Sequence, residues 1–232
     1  MSEFPDWLRP ARSTGLLSRL PDAVVRDVTN GAHRVEYPSG TVAVGWDEGS
    51  VAWILLRGSL RGFLASPQGN QVTTRYLKPG DTVGLLADRR LILARGVQVL
   101  EPSEVLVVSQ ERIRELAMAQ PVFAWALIEE LASVVGATQR ALHIRGFGSV
   151  RQRVISAILD RAEVSGSVVP GMSVTGTQHE LAIAIGSVRE VVASVLQELK
   201  REGLIDIHRG RVVVLDPERL ARESNVALEP PD

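Results

Sequence analysis

Apolar residues recur near the start of the chain at helical spacing. Leu16, Leu17, Leu20, Val24, Val25 and Val28 share a face, and Pro21-Asp22 predicts a restart. From about 33 to 109 the period changes. Short apolar runs follow one another: 51-VAWILL-56, 72-VTTRYL-77, 91-LIL-93, 97-VQVL-100 and 105-VLVV-108. Turn formers separate them, at Pro38-Ser39-Gly40, Arg57-Gly58, Pro67-Gln68-Gly69-Asn70 and Pro79-Gly80-Asp81. Many short strands with regular turn signals predict an all-β sandwich or barrel.

Helical periodicity returns after Ser109. Pro121 is a good first-turn residue and opens a long segment reaching about Ile144. Within it Ile128, Leu131, Val135, Thr138 and Leu142 alternate at spacings of three and four, a heptad-like seam roughly 35 Å long as a helix. A seam of that length suggests a partner helix, and an identical copy is the simplest one. Gly146-Phe147-Gly148 predicts a hinge. A helix with Val150, Val154, Ile155, Ile158 and Leu159 on one face follows and closes at Ser165-Gly166-Ser167. The segment 204-LIDIHRGRVVVLD-216 reads as two strands around a His208-Arg209-Gly210 tip. Asp216-Pro217 starts a last short helix, and the tail from Ser224 is expected to be disordered.

The stretch Thr177-Gln178-His179-Glu180 fits the capping box, so a helix should begin at Gln178 and bury Leu181, Ala182 and Ile185 until Gly186 ends it. Ser187-Val188-Arg189-Glu190 fits a second capping box, with Ser187 as cap and Glu190 at the third helical position. Two helices joined so tightly must cross steeply, as in a helix-turn-helix. On the second helix Val188, Val192, Val195, Leu196 and Leu199 share an apolar face. Arg189, Glu190, Ala193, Ser194 and Gln197 lie opposite. Arginine can bond guanine, glutamate cytosine and glutamine adenine in a major groove. Arg209 and Arg211 at the hairpin tip would meet phosphates. Capping by Glu190 and ordinary solvation of Arg189 account for the same residues without DNA.

Composition narrows the class. The 232 residues are 45% hydrophobic and 23% charged with a net charge of −1, which excludes a basic coat but not a local binding face. The absence of cysteine excludes disulfides, thiolate metal sites and iron–sulfur clusters. The start, MSEFPDWLRPARS, has no apolar core of a secretory signal, so a cytoplasmic protein with no membrane span is expected. Gly146-Phe147-Gly148-Ser149-Val150-Arg151 lacks the last glycine and the preceding strand of a dinucleotide fingerprint, and no other catalytic motif is present, so no enzyme is expected.

The order of these parts resembles the family of the cyclic-AMP receptor protein and the fumarate–nitrate regulator. The resemblance runs from about Gly15 to Arg222, through 53-WILLRGSLRGFL-64, 78-KPGDTVGLL-86, the long helix after Pro121 and 178-QHELAIAIGSVREVVASVLQELKREGLI-205. It implies an α+β chain: a cyclic-nucleotide-binding-like β-roll (jelly roll) over 1–120, a dimerisation helix over 121–145, a winged helix-turn-helix over 146–224 and a tail over 225–232. It further implies a homodimer on palindromic promoter DNA, with RNA polymerase as a candidate partner. By position, Arg189 and Glu190 match the family's base-reading pair, and Ser194 stands where many members have a second arginine. Val188 stands where serine is usual. The DNA-binding set is then Thr177, Gln178, Ser187, Arg189, Glu190, Ser194, Gln197, Arg209 and Arg211.

The effector cassette departs from the family pattern. Gly84-Leu85-Leu86 puts Leu85 in place of the ribose-binding glutamate, and Leu93, followed by Ala94, stands in place of the phosphate-binding arginine. Burying a phosphate without its arginine is costly. Arg89, Arg90 or Arg95 would substitute only in a rearranged loop. Thr138 and Gln139 lie on the long helix near the family's purine-contacting threonine. The expected effector is therefore not classical cyclic AMP, or is absent, and no cofactor is expected. His33 and His143 are read as structural or surface residues rather than haem ligands. The competing reading is a ligand-binding module of the same fold that acts through protein contacts.

Overall fold

A computed structural model describes residues 4–44, 51–69, 71–85, 94–164, 166 and 168–224. The chain divides into two compact units, Met1–Ala65 with Tyr76–Ala137, and Ser66–Arg75 with Thr138–Asp232.

The first unit opens with short helices α1 (Arg9–Ser13), α2 (Gly15–Ser18) and α3 (Asp22–Thr29), with Pro21 capping the last. Among the described residues eight strands follow: β1 (His33–Tyr37), β2 (Val42–Val44), β3 (Val51–Arg57), β4 (Leu60–Ala65), β5 (Gln71–Leu77), β6 (Thr82–Val83), β7 (Ala94–Val99) and β8 (Ser103–Ser109). Then come α4 (Gln110–Ala119) and the long α5 (Pro121–Phe147). The strands form two four-stranded sheets, β1-β8-β3-β6 and β2-β7-β4-β5. The run 91-LIL-93 lies outside the described residues.

The unbroken apolar run of β3 has a physical reason. A strand with an alternating pattern serves one core, whereas β3 serves two. Trp53 and Leu55 point between the sheets with Leu60, Leu77, Val97, Val99 and Val105. Ala52, Ile54 and Leu56 point to the opposite side, into a core with the N-terminal helices, α4 and the start of α5. The 78-KPGD-81 turn is held by hydrogen bonds from Gly80 N to Leu55 O (2.8 Å) and from Leu55 N to Asp81 O (2.9 Å). Gly80 has φ +96°, and a Cβ there would lie 2.4 Å from Thr14 O, so the turn and the start of α2 meet backbone to backbone.

The helix α5 runs through Gly146 and stops at Gly148, whose N–H bonds Ile144 O at 2.8 Å. Its buried residues are Phe123, Ala126, Leu127 and Glu130, all near its start. Glu130 is 3% exposed; it accepts from Arg19 Nη1 at 2.6 Å and from Thr82 Oγ1 at 2.8 Å. Length and composition alone would let α5 cross a bilayer, but this buried carboxylate and its partners set the start of the helix in protein. Glu130→Leu removes the bonds from Arg19 Nη1 and Thr82 Oγ1 to a buried carboxylate, and is expected to cost about 1–3 kcal/mol, measured by urea unfolding.

In the second unit the order is α6 (Val150–Val164), β9 (Ser173–Thr175), α7 (Gln178–Ile185), α8 (Arg189–Arg201), β10 (Ile205–His208), β11 (Arg211–Val214) and α9 (Pro217–Ser224). One core gathers Val154, Ile155 and Ile158 of α6, Leu181 and Ile185 of α7, and Val192, Leu196 and Leu199 of α8, with Val212 and Val214 of the sheet. The predicted hairpin is present, and β9 adds a third strand in the order β10-β11-β9. Ser165, Ser167 and the expected tail over 225–232 lie outside the described residues.

Candidate nucleic-acid interface

The first capping box forms as the sequence predicts. Glu180 N donates to Thr177 Oγ1 (3.1 Å), and Thr177 N donates to Glu180 Oε2 (2.8 Å). Arg161 stands behind it, 3.7 Å from the same carboxylate. Thr177 and Gln178 are thereby fixed at the start of α7.

The second capping box does not form. Gly186 takes φ +65°, and Ser187 N bonds Ala182 O (2.9 Å) while Gly186 N bonds Ile183 O (3.3 Å). That is a Schellman closure of α7, and it uses Ser187 to end one helix instead of starting the next. Val188 becomes the N-cap of α8 with no side-chain cap bond, which puts Glu190 at the second helical position. Val188 is also 58% exposed rather than part of the apolar face. The expected roles of Ser187 as cap and Val188 as core are therefore corrected.

At 3.6 residues per turn, Val192, Val195, Leu196 and Leu199 define the inner face of α8, and all four are buried. Glu190, Ser194 and Gln197 fall opposite and are exposed. Arg189 and Val191 flank that outer face on opposite edges. The Arg189 edge is the one beside the wing. Arg189 shares an open groove of about 450 Å³ with Thr177, Gln178, His179, Arg209 and Arg211. Among the described residues the side chains of Arg189, Glu190, Ser194, Gln197, Arg209 and Arg211 make no hydrogen bond or ion pair.

The same groove is lined by two residues that sequence reasoning missed, His179 and His208. His179 was hidden as a spacer in the capping box, and His208 as a hairpin tip. Asp206 at the wing base bonds Lys200 Nζ at 2.7 Å and lies 3.4 Å from His208 Nε2. The Lys200 ammonium, with the Ile207 N–H, holds its carboxyl below the usual carboxylate range. The far end of α8 is anchored separately. Arg151 donates to both oxygens of Glu202 (2.9 and 2.7 Å) and to Glu223 at 2.8 Å, joining α6, the end of α8 and α9. Arg151 accordingly holds the Glu223 carboxyl below its ordinary range.

Residues 152–223 match the model of the Crp-like helix-turn-helix domain. The chain is 25% identical over 187 residues to the cAMP-activated global transcriptional regulator CRP of Pasteurella multocida, covering 78% of this chain and 90% of that one. The chain carries a Crp-like helix-turn-helix domain over those residues and is similar to CRP along most of its length. It is a DNA-binding transcription regulator. It is also 29% identical over 196 residues to the transcriptional regulator LdrP of Thermus thermophilus, covering 82% of this chain and 95% of LdrP. Its fold matches that of the c-di-GMP-responsive regulator CLP of Xanthomonas campestris with a TM-score of 0.71, at 20% identity over 84% of this chain and 99% of CLP. The names of the Pasteurella and Xanthomonas proteins give them different effectors.

The effector-pocket positions of the chain fall in different settings. Gly84 takes φ +73°, and its carbonyl accepts from the Gln110 side-chain amide. Leu85 is 4% exposed, in the core between sheet and helices. Leu86, Leu93 and the Ala94 side chain lie outside the described residues, as do Arg89, Arg90 and the Arg95 side chain. Thr138 and Gln139 are exposed on α5.

Proposed function

We propose that this regulator works in the cytoplasm as a homodimer on palindromic promoter sites, with Arg189, Glu190 and Gln197 meeting bases and Arg209 and Arg211 meeting phosphates. The observation that carries the reading is the outer face of α8. It presents polar and charged side chains with no partner among the described residues, beside two wing arginines that likewise have none there. Such groups cost nothing to redirect toward a ligand, and their chemistry suits base edges and phosphates.

The dimer is supported by α5. Trp125, Ile128, Val135 and Leu142 are 62%, 54%, 54% and 68% exposed. The last three recur every seventh residue along a helix with no buried residue after Glu130. An unpartnered apolar stripe at heptad spacing fits an identical helix. In such a dimer the two recognition helices would enter grooves about one helical turn, ~34 Å, apart. The burial of Leu85 supports an effector other than cyclic AMP held in the usual way, because the position of the ribose-binding carboxylate is spent on core packing.

The test is binding of promoter fragments across a salt series. Affinity should fall steeply as salt rises. Arg211→Ala should weaken all sequences alike and reduce the salt slope by about 1 per recognition element. Failure to bind any fragment would favour the alternative, a module acting through protein contacts.

A further inference from the structure

Two valines on the interface are unexplained by folding. Val188 occupies the N-cap of α8, where Ser, Thr, Asp or Asn would bond a free N–H and where an aliphatic residue is disfavoured. Val191 sits in the first turn at 39% exposure, and Val188 is 58% exposed. Burial therefore compensates neither position, and β-branching is mildly unfavourable at Val191. Val191 lies on one edge of the helix, and Val188, with extended backbone (φ −97°, ψ 151°), stands at its N-terminal end. That edge lies across the outer face from Arg189 and the wing. The face thus has three strips: a cationic edge with Arg189 beside Arg209 and Arg211, a polar centre with Glu190, Ser194 and Gln197, and an apolar edge with Val191 and, at the N-terminal end, Val188.

We infer that the apolar edge reads thymine methyl groups. This rests on the DNA-reading role proposed above. When the polar centre faces base edges, the apolar edge faces the neighbouring base pairs of the same groove. The C5-methyl of thymine is the one apolar group that a base pair presents in the major groove. The small, stiff isopropyl groups can seat against it and need no hydrogen-bond partner. Each half-site then carries one or two thymines whose methyls matter, on the side of the Arg189-read pair that faces away from the wing. Ser194, small and central, permits the close approach that such contacts need.

The experiment uses the full-length protein. Binding sites are enriched from random duplexes, and each thymine of the recovered half-site is replaced singly by deoxyuridine, which keeps every hydrogen bond and removes only the methyl. Loss of one well-seated methyl is worth about three- to fivefold in affinity. That loss is expected at one or two positions. In Val188→Ala and Val191→Ala it should shrink toward none, while binding to the deoxyuridine duplex stays unchanged. Both substitutions are at exposed positions, and circular dichroism melting shows whether they fold. A flat deoxyuridine series, or a methyl effect that survives both substitutions, overturns the inference and leaves the DNA-reading role intact. Failure to enrich any duplex overturns both.

Discussion

Arg189→Ala is expected to weaken binding to the cognate site by about 1–3 kcal/mol per half-site, and roughly twice that for a dimer whose two helices act independently. The loss should be confined to the preferred sequence, so that competition among single-base variants becomes flat at one pair per half-site. The size follows from geometry. Arg189 is the first helical residue of α8, on the wing side of the outer face, and its guanidinium makes no bond among the described residues. Nothing internal is lost on truncation, so the melting temperature should not move. A variant that binds weakly but keeps its base preference would show that Arg189 contacts phosphate. Glu190→Ala is a useful companion. With no capping bond to lose, it too should leave stability nearly unchanged, and any change in sequence preference would be a base contact.

Val135→Glu is expected to give a folded monomer. Val135 is 54% exposed and contributes to none of the buried clusters, so a carboxylate there is harmless to a single chain. Across a twofold seam it would face its own copy, a like-charge pair in an apolar strip. Sedimentation should show the monomer mass. Binding to a palindrome should fall by about 10²–10⁴-fold, because the second half-site no longer adds avidity. A dimer that persists would move the interface away from the 128–135–142 stripe.

What the sequence revealed and what it hid can be read at particular residues. The box at Thr177 and Glu180 was legible because both bonds span three residues and nothing else competes for them. The run over 51–56 was legible as strand, since few other elements bury five residues in succession, as Ala52 to Leu56 are here. The second box misled because Ser187 had two local uses. Closing α7 through Gly186 won, and Val188 then left the core for the surface. The strand β9 has one buried residue, Val174, and its pairing partner lies far along the chain, so periodicity could not find it. The effector site was least legible. Leu85 looked like a missing ligand, and its place in a packed core explains the residue without reference to any ligand.

The burial pattern of α5 bears on how the protein behaves on dilution. Seventeen residues of this helix follow Glu130 without one being buried in the chain itself. Isolated helices of about that length are marginal in water. A partner that covers the stripe would supply much of what keeps the segment wound. Helix content and melting temperature should then rise with protein concentration, coupling the order of the chain that leads into the winged helix to how many copies are present.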